Sequence, residues 1–497
     1  MKARIPKGVA IMVAGFMLAA CSAPVFKQPT IDTPAVFKES QGPHGEVRTA
    51  VDGSSWKPAR PAEQQPRGEW WLAFHDPALT ALIGEATRDN ASLAVAAARV
   101  KQSRAISGIA NADHMPQLGL DIGAQRGRLA QPQTVQPTDA PLTPRTSYRA
   151  NLSASYEVDL FGRVSSNVTA ALADTASSEA HYRSVLLSLQ ADLAQLYFRL
   201  RATDAELDAV AQTVRLREES VKVTQARFDL GDTGELDLSR ARTELATARA
   251  DAIGLQRQRA TVEHAMAVLL GKPAAAFTAG SSPLQDSTLV PVIPAGLPSS
   301  LLERRPDIAA AQRTMEASNA RIGVARSAMF PALTLSASGG GGVGDSISDV
   351  FAWSSRSWVL GALLSTPLID GGRNKANIAR SEAALEESVA AYRQSVLIAF
   401  AEVEDNLAGL RILARQTTHI EEALVSAHRA ADLAQKLYGA GRSSYLELLD
   451  AQRNLATIER SAVQLRGNRA ITTVALIRAL GGGWDAQVIG KDTLARN

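Results

Sequence analysis

The chain has 497 residues, 45% hydrophobic but only 5% aromatic, with a formal charge of +3, a composition better suited to long helices than to a thick globular core. The positive excess lies at the start, where Lys2, Arg4 and Lys7 precede any acid; beyond residue 20 the chain carries 50 basic and 50 acidic residues. A neutral chain gives no electrostatic case for a nucleic-acid partner, and a single cysteine excludes a disulfide framework or a cysteine-based metal cluster.

The three cations lead into an apolar run from Val9 to Ala20, which reads as a signal peptide over residues 1–20. The run is shorter than the ~20 residues a spanning helix needs, which argues against an uncleaved anchor. Leu18-Ala19-Ala20-Cys21 has the form of a bacterial lipobox, so Cys21 is expected to be acylated and to hold the chain on a membrane. Residues 21–70 are rich in proline, glycine and polar residues and read as an extended, lipid-anchored segment.

From residue 71 the chain repeats itself. Phe228-Asp229-Leu230-Gly231 is echoed by Tyr438-Gly439-Ala440-Gly441, and Phe161-Gly162-Arg163 by Gly371-Gly372-Arg373, both 210 residues later. Met115-Pro116-Gln117-Leu118 and Phe330-Pro331-Ala332-Leu333 are 215 apart, so the copies differ by five residues in this region. A period this long implies a duplicated half-module rather than a solenoid. The first repeat spans 71–270. In it a helical pattern starts at Asp76-Pro77 and runs to about His114, stopping at Pro116. A β-hairpin follows over about 117–160: Leu118, Leu120, Ile122 and Ala124 alternate along one segment, Leu152, Ala154, Tyr156 and Val158 along the other. Between them lies a polar, proline-rich loop at about 125–147.

A long helix is then expected at 165–230, roughly 100 Å at 1.5 Å per residue. Leu186, Leu189, Leu193, Leu196, Leu200, Leu207, Val210, Val214, Val221 and Phe228 follow the seven-residue rhythm of a coiled-coil seam. Gly231 and Gly234 mark a turn into a return helix at 235–270. Residues 271–300, with Pro283, Pro291, Pro294 and Pro298 among their prolines, link the copies outside the helical columns. The second repeat, 301–480, predicts a helix at 306–329, a hairpin at about 332–369, a long helix at 374–438, a turn at Gly439 and Gly441, and a return helix at 444–480; 481–497 is a C-terminal tail. In each half the return helix and the pre-hairpin helix (about 90–115 in the first half) together match the long helix, so they are expected to stack end to end beside it.

The fold class is therefore mainly α with a transmembrane β-barrel. Four strands cannot close a barrel, and an open edge is not tolerated in lipid. The chain must oligomerise to 8, 12 or 16 strands, continued by a wall of helices one layer thick.

The lipobox, Trp70-Trp71 with Asp76-Pro77-Ala78-Leu79, Asp159-Leu160-Phe161-Gly162-Arg163, the run Leu301 to Ile308 around Arg304-Arg305-Pro306-Asp307, and Leu480-Gly481-Gly482-Gly483-Trp484 together resemble the TolC/OprM-type outer-membrane efflux factors. The likeness is closest to the NodT-like lipoprotein branch serving resistance-nodulation-division (RND) pumps, and it covers nearly the whole mature chain. It implies a homotrimer with a 12-stranded β-barrel and a 12-column α-helical tunnel, docked to a periplasmic adaptor (a membrane fusion protein) and an inner-membrane RND proton antiporter. The function implied is a passive duct for small toxic compounds, gated at its periplasmic helical tips, with no cofactor. Ser22 after the acylated cysteine favours outer-membrane lipid by resemblance to bacterial lipoproteins.

The same resemblance places Asp237, Glu447 and Asp450 at the constricted periplasmic entrance, where trimerisation would triple each into a ring. Complementing the positive end of a helix is the competing reading for Asp237 and Glu447; Asp450 lies deeper in its helix, beyond the first turn. Glu447 departs from relatives that carry Asp or no acid there. Gly231, Gly234, Gly439 and Gly441 read as helix caps, and by resemblance as the tips that receive the adaptor. Arg240, Arg242 and Arg453 suit either salt bridges across a closed aperture or a solvated face. Tyr148, Tyr156, Phe351, Trp353 and Trp358 suit interfacial girdles or ordinary packing.

An enzyme is disfavoured. The seven histidines, at 44, 75, 114, 181, 264, 419 and 428, include no pair at helical ligand spacing. Gly339-x-Gly341-x-x-Gly344 leads into a loop rather than a helix, unlike a dinucleotide fingerprint. A type I protein-secretion duct shares the same tube, and a lipid-anchored coiled-coil scaffold without a pore explains the heptads but not the hairpins.

Overall fold

The computed structural model describes residues 26–29, 34, 37–40, 68–127, 144–285, 291, 304–344 and 347–482. Cys21, loop residues 128–143, most of the linker beyond 285 and Trp484 lie outside the described residues. Two compact units emerge: one draws on 1–30, 99–179 and 310–392, the other on 31–98, 180–309 and 393–497.

In the first unit, β1 (Gln117–Gly127), β2 (Arg145–Val158), β3 (Ala332–Gly344) and β4 (Arg356–Ser365) form one antiparallel sheet in sequence order, leaving β1 and β4 as open edges. The register aligns Leu120 with Leu152 and Ile122 with Ala150; Tyr156 meets Leu335, and Ala337 meets Leu360. All the alternating apolar residues therefore share one face. The opposite face carries Asp121, Arg149, Asn151, Ser153, Ser155, Thr334, Ser336 and Ser338, interrupted by Val359 and Leu363. The apolar face is bare: Leu118, Leu120, Ile122, Leu360 and Leu364 are each 62–78% exposed. Exposed leucines in rows require an apolar environment or another molecule.

Both hairpins feed into long helices through the same device. Asp159 accepts from the Val164 and Ser165 N–H groups at 3.0 and 2.8 Å, capping α3 (Arg163–Asp229). Asp370 accepts from Gly372 and Asn374 N–H, both at 2.9 Å, ahead of α6 (Arg373–Gly439). Gly162 and Gly372, at φ +73° and +86°, supply the left-handed turn beside each cap. Phe161 stacks on Phe330 with centroids 5.0 Å apart, joining the two copies within this unit.

The second unit holds the main core, where Trp70, Trp71 and Phe74 of a 3₁₀ turn pack with Leu79, Ile83, Leu193, Phe198, Met266, Val403, Val474 and Ile477. Asp76 caps α1 (Pro77–Asp89) through Ala78 and Leu79 N–H and also accepts from Tyr197 Oη and Arg201, each at 2.7 Å. One carboxylate thus performs the cap and ties α1 to α3. The helical pattern from Asp76-Pro77 to about His114 is divided at Asn90, near the expected start of the pre-hairpin helix: Asn90, with ψ 124°, ends α1 and starts α2 (Ala91–Ala112). Its Oδ1 accepts from Leu93 N–H, an N-cap geometry that sets the start of the pre-hairpin helix.

Asn90 also marks a joint. Its Nδ2 donates to the Leu269 carbonyl at the end of α4 (Glu235–Leu269), 2.9 Å away. In the other copy, Arg305 donates to the Ala479 carbonyl that ends α7 (Tyr445–Ala479), also at 2.9 Å, just before α5 (Pro306–Ser327). The return helix thus meets the start of the pre-hairpin helix in both halves. Each joint closes with a 6→1 and 5→2 hydrogen-bonded turn, at Gly271 and Gly481. Arg305, 7% exposed, also binds Asp307 through two hydrogen bonds and Glu402 at 2.6 Å, which gives Arg305 and Asp307 of the Arg-Arg-Pro-Asp segment a structural role.

Part of the segment expected to be a bare tether is docked. Phe37 is 1% exposed in the second unit, and Lys38 and Glu39 N–H donate to the Glu404 carboxylate at 2.7 and 2.9 Å. The first part of the inter-repeat linker is held too: Leu284 N–H donates to the Arg201 carbonyl and Ser282 N–H to Asp204.

Candidate functional site

The two helical turns of the second unit close alike. After α3, Asp232 N–H bonds Arg227 O and Gly231 N–H bonds Phe228 O; after α6, Arg442 N–H bonds Leu437 O and Gly441 N–H bonds Tyr438 O. Gly231 and Gly441 sit at φ +72° and +70°, the left-handed position of this cap. The other two tip glycines differ in role. Gly234 is the extended N-cap of α4, with no side chain to offer, and Gly439 is the last helical residue of α6 rather than a turn residue. At the position matching Gly234, Ser444 Oγ accepts from Glu447 N–H at 3.3 Å and caps α7.

The three acids are differently engaged. Asp237 is half-buried in the first turn of α4, accepting from Thr233 Oγ1 at 3.1 Å and facing Arg240 at 3.4 Å. Glu447 and Asp450 are exposed on α7, neither within ion-pair distance of a described cation. The 210-residue offset matches Glu447 to Asp237 and Asp450 to Arg240. Asp237 is thus paired within its own tip, where Glu235 stays exposed, while Glu447 and Asp450 make no close ion pair, Arg453 acting on Asp450 only at longer range. Between the tips, Tyr438, Tyr445, Leu448 and Leu449 pack with Ala241, and Arg227 lies 4.6 Å over the Tyr438 ring.

Behind this apolar knot lies a charged cluster. Arg217 of α3 is 3% exposed, 3.7 Å from Glu244 of α4 and hydrogen-bonded to Gln452 of α7 at 2.8 Å. Glu244 also pairs with Arg453 of α7. Burial pushes the Arg217 guanidinium down from its usual range, opposed by Glu244. The hydrogen bond from Arg453 holds the Glu244 carboxyl below the usual carboxylate range. An adjoining cavity of about 410 Å³ is lined by Thr213, Thr247, Asp251, Thr457, Arg460 and Gln464, among others. Of the three arginines singled out from sequence, Arg453 joins this cluster, Arg240 pairs with Asp237, and Arg242 donates to Gln225 of α3 at 2.8 Å.

The apolar heptad did not reveal Arg217. The buried line at this end of α3 runs Val210, Arg217, Thr224, whereas Val214 and Val221 are half-buried and Phe228 is 38% exposed. The seven-residue spacing was the available signal; restricting the seam to apolar residues concealed it.

The chain matches the family model "Outer membrane efflux protein" over residues 82–272 and 297–482, one segment per repeat. It is 34% identical over 477 residues to the solvent efflux pump outer membrane protein SrpC of Pseudomonas putida, covering 95% of this chain and 97% of that one. To the pyoverdine export outer membrane protein OpmQ of Pseudomonas aeruginosa it is 35% identical over 420 residues, covering 84% and 88%. Among solved structures it resembles the Neisseria gonorrhoeae MtrE outer membrane channel, with a TM-score of 0.78, 29% identity, and 93% and 98% of the two chains covered. With a duplicated helical body and a four-stranded amphipathic sheet behind these matches, the chain belongs to the outer membrane efflux protein family.

Proposed function

We propose that this outer-membrane efflux channel works as a homotrimer. Its twelve strands would close a barrel and its helices a periplasmic tunnel, with Cys21 acylated in outer-membrane lipid. It receives substrates from a periplasmic adaptor and an inner-membrane RND proton antiporter and supplies no energy of its own. The observation that carries the reading is the sheet: four strands, apolar on one face, polar on the other, with both edges unpaired. Edges that hydrocarbon would not tolerate are satisfied when β4 of one copy pairs with β1 of the next. The polar face then lines the lumen.

The gate in this reading is the second tip, where Glu447 and Asp450 would form rings of like charge that repel one another and attract cations; Asp237, paired with Arg240, contributes less. The tip glycines serve as caps and as the surface met by the adaptor. The test is single-channel recording from the detergent-extracted trimer in planar bilayers. Asp450→Ala is expected to raise conductance and weaken block by divalent cations, with Asp237→Ala alone doing neither. An Asp450→Ala channel that conducts and is blocked like the wild type refutes the gate, and a full-length chain that remains monomeric and silent refutes the channel. Incorporation of labelled palmitate, lost in Cys21→Ala, tests the anchor.

A further inference from the structure

The apolar face of the sheet does not end on apolar residues. Along β1 it reads Leu118, Leu120, Ile122, Ala124, Arg126; along β4, from the helical end outward, Leu364, Ala362, Leu360, Trp358, Arg356. Each arginine is the ninth position beyond the inner end of its strand, counted from Gln117 and from Ser365, and both are exposed. Arg356 is stacked on Trp353 with its guanidinium 4.7 Å from the ring centroid. Phe351, Trp353 and Trp358 stand beside it, 72–82% exposed. A helical turn at Ile347–Val350 precedes them in the chain, with Val350 buried against Gly341, the register partner of Arg356.

We infer that this fringe is a binding site for the phosphate groups of an outer-leaflet glycolipid, shared between neighbouring copies. The inference rests on the channel reading, which turns the apolar face to lipid and the hairpin end outward. A guanidinium on a hydrocarbon-facing surface needs an anion at the level where the hydrocarbon stops, and phosphate matches its planar donor fork. Tryptophan suits the same level, its ring apolar and its N–H wet. Arg126 and Arg356 sit on the two edge strands. Closure brings β1 of one copy alongside β4 of the next, about 4.8 Å away, so the two arginines bracket one headgroup. Neither copy completes the site alone.

The test is native mass spectrometry of the full-length trimer in neutral detergent, titrated with diphosphoryl lipid A, the same lipid stripped of phosphate, and phosphatidylethanolamine. The wild type is expected to retain the phosphorylated lipid in preference to both others, with retention falling as salt rises. Arg126→Gln and Arg356→Gln are each expected to weaken retention about fivefold, the effect of one basic residue at a charged lipid surface. Trp353→Ala, which frees Arg356 from its stack, weakens it as well. Equal retention of phosphorylated and stripped lipid by the wild type overturns the proposal without any variant having to fold. So does a double arginine variant that binds as the wild type does. Conductance of the same preparations reports separately on the channel reading.

Discussion

Glu244→Gln separates two quite different ion pairs that share one carboxylate. Arg453 is 53% exposed at its side chain, so its pairing with Glu244 contributes less than about 1 kcal/mol. Arg217 is only 4% exposed at its side chain, and Glu244 is its anionic partner at 3.7 Å. Removing that charge leaves a buried guanidinium with the neutral Gln452 oxygen, at a cost of about 3 kcal/mol, the low end for breaking a buried pair. The loss is local, so hydrogen exchange along α4 and α7 around Glu244 and Arg453 is the suitable measurement, with Arg453→Gln as the comparison. Glu244→Gln should speed exchange there by about two orders of magnitude, and Arg453→Gln by less than tenfold. Adding Arg217→Met to Glu244→Gln should restore most of the protection, since an apolar side chain leaves no orphaned charge. The sign of the pH effect follows from the depressed carboxyl. Its contribution is complete above the unfolded value of about 4.3 and is lost as pH falls through the lower folded value. Protection of this segment should thus be flat from neutrality to about pH 4.5 and drop below it, and Glu244→Gln should abolish that drop. Equal effects of Glu244→Gln and Arg453→Gln would refute the assignment of the cost to Arg217.

The joints and the lumen give further tests. Gly271→Ala combines a φ of +71° with a methyl group 2.3 Å from the Asp89 carbonyl oxygen, whereas Gly231→Ala, at φ +72°, meets nothing within 4 Å. Gly231→Ala should therefore lower the thermal unfolding midpoint of the detergent-extracted protein only by its backbone strain, roughly 1–2 kcal/mol. Gly271→Ala should lower it clearly further, because the end of α1 at Asp89 must also move. Arg149, on the polar face beside Gly123, is a cation of the sheet's lumen side in the channel reading. Arg149→Glu should shift the reversal potential under a salt gradient toward cation preference, with unchanged trimer yield.

Much of the architecture was legible because it rests on periodicities that packing enforces. The alternation of Leu118, Leu120 and Ile122 and the proline stops sufficed for the strands, and the 210-residue echo for the duplication. What escaped were positions where a polar side chain does a structural task. Asn90 sits inside a helical hydrophobic pattern, yet its side chain caps α2 and bonds the end of α4. Arg217 occupies a seam position that an apolar count passes over. Gly439 looks like a turn residue from its neighbours Ala440 and Gly441, but only Gly441 takes the left-handed conformation. In each case local composition was ambiguous, and a partner more than a hundred residues away, or one backbone angle, decided it.

The two copies agree where they build wall and diverge where they meet at the tips. At the joints, Gly271 and Gly481 close equivalent turns, and different donors, Asn90 and Arg305, reach equivalent carbonyls. Chemistry varies there while geometry is kept, as expected when the constraint is the orphan carbonyls of a helix end. At the tips the geometry is again kept, with identical turns at Gly231 and Gly441, but the charge is not: Asp237 with Arg240 in one copy, Glu447 with Asp450 in the other. The first turn of α4 holds Glu235 and Asp237 and that of α7 holds Glu447, so each N-terminus has its complementing charge without Asp450, which lies beyond the first turn. The second acid of the second tip, Asp450, is surplus to folding. That surplus, more than its place in the chain, is the physical reason to assign the gate to it.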